Sequence, residues 1–177
     1  MTNILIIVDP QVDFATGALG TKEAATALEN AAEYIKNFNG KTYVTLDTHY
    51  DDYLETHEGK NLPVPHCKRK TPGWEIYPAI QKALEGKEYT VLEKNTFGSV
   101  DLPNIIRKDI GNEEEKNVKI EFVGLCTDIC VINNALIMRA QFPETDIEAH
   151  ENYMAGVTPE THKAAITVMK SCQINVL

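Results

Sequence analysis

The sequence predicts an α/β fold: a doubly wound, three-layer α/β/α sandwich built on a six-stranded, mainly parallel sheet. Three observations carry that expectation. Residues 3–8, NILIIV, form an apolar run that suits a strand buried on both faces, and Asp9-Pro10 ends it. A second long strand-like run, VKIEFVGL at 118–125, leads straight into a helix-like segment. Between and beyond them, strand-like and helix-like stretches alternate along the whole chain, the pattern of parallel strands joined by crossover helices.

The elements follow in order. After the first strand, Thr21 can cap a helix in which Ala25, Leu28, Ala32 and Ile35 recur with helical period as far as Asn39-Gly40. KTYVTL at 41–46 is the second strand, 74–84 a helix, YTVLE at 89–93 the third strand and 102–110 a short helix. The strand at 118–125 precedes a helix at 128–140, in which Thr127 and Asp128 are expected as caps. A strand at 145–150, a helix at 159–170 and a last strand at 173–177 complete the set. With no repeat or low-complexity linker, residues 1–177 are expected to form one domain.

Composition narrows the partners. A net charge of −9 repels phosphate backbones and anionic lipid, so nucleic acid and membrane surfaces are poor partners and a small molecule is the natural ligand. No apolar stretch reaches the ~20 residues that span a bilayer, and the N-terminus has no signal-peptide pattern, so a cytoplasmic protein is expected. There Cys67, Cys126, Cys130 and Cys172 are expected as thiols.

In open α/β sheets ligands sit beyond the carboxyl ends of the strands, which directs attention to Asp9, Asp47, Lys94 and the segment from Cys126 to Cys130. Asp9, Lys94 and Cys130 supply an acid, an amine and a thiol. A carboxylate can accept the thiol proton, while an ammonium and a helix N-terminus lower the thiol pKa. Each residue alone has a bland reading as a turn, a solvated charge or a small buried side chain; their joint placement after three strands favours catalysis. The irregular stretch 47–73 holds three of the five histidines, and Asp47, His49 and His66 form a set suited to zinc, or to iron or manganese. Cys126 and Cys130 stand four residues apart, a spacing that leaves a disulfide geometrically open but is not the redox CxxC.

Five motifs in order, IVDPQVDF, LDTHYD, PVPHC, EKNTFGS and GLCTDICV, resemble those of the isochorismatase-like cysteine hydrolases, and within them look most like nicotinamidases. The resemblance covers nearly the whole chain. It implies a triad of Asp9 as proton acceptor, Lys94 and the nucleophile Cys130. It also implies a cis peptide bond between Leu125 and Cys126, with the backbone N–H groups of Cys126 and Cys130 forming an oxyanion site. Asp47, His49 and His66 would hold a divalent metal with one further ligand from THEGK, either His57 or Glu58, of which Glu58 is preferred.

By the same resemblance the substrate is a small amide, hydrolysed through a Cys130 thioester, with Phe14, Leu19 and Phe97 as apolar pocket walls. A homo-oligomer is expected. One departure stands out: where many nicotinamidases carry an aromatic residue near the metal histidine, this chain has Leu62-Pro63-Val64. The alternatives are an amidase of the same superfamily acting on a carbamoyl or ureido substrate, and a nonenzymatic metal- or ligand-binding relative.

Overall fold

A computed structural model describes all 177 residues. Six parallel strands form one sheet: β1 (Thr2–Val8), β2 (Lys41–Asp47), β3 (Thr90–Lys94), β4 (Val118–Leu125), β5 (Asp146–Ala155) and β6 (Asn175–Val176), in the order β3-β2-β1-β4-β5-β6. The helices are α1 (Val12–Ala15), α2 (Lys22–Asn37), α3 (His57–Asn61), α4 (Pro78–Ala83), α5 (Leu102–Ile110), α6 (Ile132–Gln141) and α7 (Pro159–Ser171). The doubly wound α/β/α sandwich read from the sequence is the fold observed.

The two-faced burial of β1 explains its unbroken apolar run. Ile4, Ile6 and Val8 point into the core under α5, α6 and α7, whereas Leu5 and Ile7 point into the core under α2 and α4. All five are 0% exposed, and each stabilises the fold by about 2 kcal/mol through burial. Thr21 caps α2 by accepting from the Ala24 N–H at 3.0 Å. No helix is long and apolar enough to cross a membrane.

The structure differs from the sequence expectation at several boundaries. The helix expected over 74–84 is only Pro78–Ala83. Residues ahead of Pro78 are held by the segment after β1 instead: Gln11 and Ile76 form an antiparallel bridge, and the Tyr77 N–H donates to the Pro10 carbonyl. Strand β5 runs to Ala155 because its register shifts beyond Phe122 and pairing resumes at Gly124↔Met154. The helix expected from 128 begins as a π turn over Thr127–Val131 before α6. Neither Thr127 nor Asp128 caps it: Thr127 meets the His162 ring at 2.8 Å, and Asp128 accepts the Val157 N–H at 3.0 Å.

Candidate active site

The sheet order reverses direction between β1 and β4, the switch point where open α/β sheets bind ligands. Asp9 follows β1 at this crevice and Cys130 lies in the turn after β4, while Asp47 and Lys94 end the neighbouring β2 and β3. Asp9 adopts a left-handed backbone (φ 44°), a conformation costing a non-glycine residue about 1–3 kcal/mol, and it is fully buried. Its Oδ2 accepts from the Lys94 ammonium at 2.6 Å and its Oδ1 from the Thr45 hydroxyl at 2.6 Å.

This cluster holds charge in a dry place. Burial raises the Asp9 pKa above the usual carboxylate value, against the opposing pull of Lys94. Burial also works against the Lys94 ammonium, but the charges of Asp9, Cys130 and Asp47 outweigh it and the amine stays protonated. The Cys130 thiol, 6% exposed, is pushed well above the ordinary thiol range, first by burial and then by the negative charge of Asp9. The lowering expected from Lys94 and the helix N-terminus is therefore outweighed, and the sulfur is held as a thiol, not as a free thiolate. The Leu125–Cys126 peptide bond is cis. Cys126 borders the pocket, and burial raises its thiol pKa up to about 12. All four cysteines are free thiols.

Beside the triad, the two ends of the 47–73 loop zip together. His49 forms a parallel bridge with Lys68, its N–H donating to the Cys67 carbonyl and its carbonyl accepting from Arg69. That closure brings His66 next to His49. His66 Nε2 lies 3.4 Å from Asp47 Oδ2, and His49 Nε2 lies 2.9 Å from the same oxygen. Glu58 Oε1 completes the group, 3.7 Å from His49 Nε2 and 3.6 Å from His66 Nε2. His57, the alternative from THEGK, is exposed on the pocket side and makes no such approach. Thr56 caps α3, and the helical turn points Glu58 inward and His57 away.

The donor set fits a divalent metal. The His66 Nδ1 meets the Val64 carbonyl at 2.8 Å, so it carries the proton and leaves Nε2 as a lone pair. His49 Nε2 is buried and, despite its 2.9 Å approach to Asp47, has no aligned hydrogen-bond partner. A buried, orphaned imidazole nitrogen facing two carboxylates and a second imidazole is the arrangement a zinc-type ion satisfies.

Three residues with no role read from the sequence hold this geometry. Gln11 is 0% exposed and clamps Asp47 from both sides, donating to its carbonyl at 2.8 Å and accepting its N–H at 2.8 Å. Thr45 orients Asp9. Tyr53 is buried with its ring 4.7 Å from His49 and 5.2 Å from His66, its hydroxyl anchored on the Leu62 carbonyl at 2.8 Å. Gln11 was visible as the polar centre of IVDPQVDF, and Tyr53 as a lone aromatic in the loop, but their partners lie too far along the chain for spacing to reveal.

Cys130 and the two-histidine cluster open into one cavity of ≈ 910 Å³, lined by Phe14, Leu19 and Phe97 among its apolar walls and by Asp47, His49, Glu58, His66 and Cys130. Leu62, 36% exposed, also borders it; Trp74 does not, its indole N–H donating to Thr48 at 2.9 Å instead. The arrangement offers a thiol nucleophile, an adjacent base and a metal-ligand set along one cleft.

Comparison with known proteins places this geometry in a family. The Isochorismatase domain model matches residues 3–177. An uncharacterized isochorismatase family protein, PncA of Bacillus subtilis strain 168, is 27% identical over 179 residues, covering 94% of this chain and 93% of that protein. The crystal structure of nicotinamidase/pyrazinamidase PncA from Bacillus subtilis superposes with a TM-score of 0.80 at 25% identity, over 99% of each chain. Pyrazinamidase of Pyrococcus horikoshii, solved in complex with zinc, shares the fold at a TM-score of 0.76 and 24% identity, over 100% of this chain and 99% of that one. With the matched model running through every strand and every residue of the cleft floor, the chain belongs to the isochorismatase family.

Proposed function

We propose that this amide-hydrolysing enzyme is a metal-dependent nicotinamidase, converting nicotinamide to nicotinate and ammonia through a Cys130 thioester. The observation that carries the reading is the meeting of Cys130 and the Asp9–Lys94 pair (2.6 Å) with a cluster of two buried histidines, the buried Asp47 and the half-buried Glu58. Support for the substrate comes from the Bacillus subtilis nicotinamidase/pyrazinamidase that the fold matches, and support for zinc from the Pyrococcus horikoshii complex.

The residues act as follows. Cys130 Sγ attacks the amide carbon as its proton passes to Asp9, which Thr45 and Lys94 hold in place. The backbone N–H groups of Cys126 and Cys130 stabilise the tetrahedral oxyanion. Asp9 returns the proton to the departing nitrogen, ammonia leaves and a thioester remains. Asp9 then takes a proton from water, whose oxygen attacks the thioester carbon; the C–S bond breaks, the thiol is reprotonated and nicotinate is freed. Asp47, His49, Glu58 and His66 would hold a divalent metal, zinc or else iron or manganese, whose Lewis acidity suits it to bind and orient the pyridine nitrogen. Phe14, Leu19 and Phe97 flank the ring. The enzyme is proposed to work in the cytoplasm as a homo-oligomer, the latter checked by light scattering.

One feature favours a second substrate class: Leu62 stands at the cleft where an aromatic clamp is absent, which suits carbamoyl or ureido amides that have no ring to sandwich. The test is ammonia release from nicotinamide by the purified protein, by Cys130→Ala and by a chelated sample. Turnover lost in both controls supports the reading. No turnover on nicotinamide alongside release from a carbamoyl amide transfers the triad to the second class.

A further inference from the structure

The proposed mechanism gives Asn134 no part and takes from the loop at 95–99 only the Phe97 wall, yet the loop is joined through Asn134 to the backbone of the nucleophile. Asn134 lies in the first turn of α6 and is 1% exposed. Its Nδ2 donates to the carbonyl of Cys130 at 2.8 Å and to the carbonyl of Phe97 at 3.2 Å, while its Oδ1 accepts the Ser99 N–H at 2.9 Å. One side chain thus fastens the nucleophile's own backbone to the loop that leaves β3 just after Lys94. The amide orientation is fixed by these partners, because its reverse would set two donors against each other at Ser99 and an oxygen against two carbonyls.

The Thr96 hydroxyl donates to the Gly98 carbonyl at 2.8 Å and so shapes the loop from within, whereas Asn134 ties the loop to α6. The Phe97 ring borders the cavity and is 45% exposed, so packing alone does not set its position; its backbone does. Gly98 is pressed onto α6, where a Cβ would come within 2.6 Å of Ile137 and 3.1 Å of Asn133, so the loop and the helix are in direct contact at this point. Ser99 then starts α5 by accepting the Leu102 N–H at 3.2 Å.

We infer that Asn134 is a positioning residue that sets the Phe97 wall of the pocket relative to Cys130, and so governs how tightly the substrate's apolar face is held while the amide carbon meets the sulfur. The inference rests on Cys130 as nucleophile. Asn134 touches neither substrate nor reacting atoms; it acts through two backbone segments that do border them.

The test is a double-mutant cycle on nicotinamide hydrolysis with Asn134→Ala, Phe97→Ala and the double variant. Asn134→Ala is expected to raise KM about tenfold, equivalent to 1.4 kcal/mol, and to lower kcat by less. Because it acts through Phe97, the double variant should have nearly the KM of Phe97→Ala alone. Effects on KM that multiply, or a KM that does not move while only thermal stability falls, overturn the inference. Asn134→Ser separates the two bonds, since a serine hydroxyl can still reach the carbonyl four residues back but not the loop. It should share the raised KM and keep more of kcat, and it serves if the alanine variant does not fold.

A second readout needs no substrate: the rate at which N-phenyl iodoacetamide alkylates Cys130, relative to iodoacetamide. An aromatic preference that falls in Asn134→Ser supports the inference, and one that stays the same overturns it. If the wild type alkylates but releases no ammonia from nicotinamide, the substrate assignment fails and this ratio decides the role of Asn134. A Cys130 inert to both reagents and to nicotinamide overturns both.

Discussion

Replacing Lys94 by methionine removes one buried cation and leaves the rest of the cleft in place. In the structure the Lys94 ammonium sits 2.6 Å from Asp9 Oδ2 and 4.0 Å from Asp47 Oδ1, with side-chain exposures of 3% for Lys94 and 0% for Asp9. Methionine keeps the length and the apolar stem but leaves Asp9 without its counter-ion. Were the charge retained, the loss would be about 3–5 kcal/mol, the cost of breaking a buried pair from one side. Asp9 avoids most of that by binding a proton, because burial already raises its pKa and Lys94 is the largest opposing influence. In the variant the folded-state pKa of Asp9 therefore lies further above its unfolded value. The unfolded chain ionises first as pH rises, so stability is intact below the unfolded pKa and declines toward the folded one, by up to about 1.4 kcal/mol per pH unit. Since the wild-type Asp9 pKa is itself raised, the gap between wild type and Lys94→Met should stay constant until pH passes the wild-type folded pKa and widen from there toward the higher pKa of the variant. A neutral Asp9 cannot take the thiol proton, and kcat/KM should fall about a thousandfold or more. Urea unfolding at a series of pH values, with ammonia release in parallel, reads both. A variant whose stability gap is flat with pH, or whose kcat/KM stays within about tenfold of wild type, would falsify the argument.

Three further outcomes are expected. Gln11→Leu orphans the buried N–H and carbonyl of Asp47 and the half-buried carbonyl of Trp74, and should cost about 2–6 kcal/mol in urea unfolding; a loss under about 1 kcal/mol would mean that water replaces the amide. Gly59→Ala would bring a Cβ within 2.0 Å of the Tyr53 carbonyl oxygen, so α3 must shift and carry Glu58 with it. Zinc affinity measured by competition with a chelator dye should fall about tenfold, and undiminished affinity argues against Glu58 as a ligand. Glu121 is buried in the sheet; burial opposes its charge, but hydrogen bonds from His150 and Tyr34 and the charge of Lys119 lower its pKa from 4.5 to about 2. A lowered folded pKa stabilises above the unfolded value and loses that effect as pH falls. The stability gap between wild type and Glu121→Gln should therefore be at most about 3 kcal/mol near neutral pH and close between about pH 4 and pH 2, and an equal gap at both ends would refute it.

The fold and the set of residues at the strand ends were legible because both depend on local patterns. A strand buried on two faces must be apolar at consecutive positions, and a parallel sheet puts the residue after each strand at one edge, so Asp9, Asp47 and Lys94 could be picked out as edge residues without knowing the strand order. The family motifs added the cis Leu125–Cys126 bond and a further metal ligand from THEGK.

What the sequence by itself determined about this protein is thus the layered α/β architecture, the strand ends and the residue types gathered there, since these follow from hydrophobic burial and chain direction alone. Only the tertiary structure decided which atoms meet. Glu58 rather than His57 faces the histidines because α3 starts at His57, and neighbouring residues on a helix point about 100° apart. The Cys130 thiol is held protonated because burial outweighs Lys94, and burial is a property of the whole fold. Gln11, Thr45, Tyr53 and Asn134 serve the site through hydrogen bonds and ring contacts whose partners are set by strand register, loop closure and helix seating, and long-range packing of that kind leaves no periodic trace along the chain.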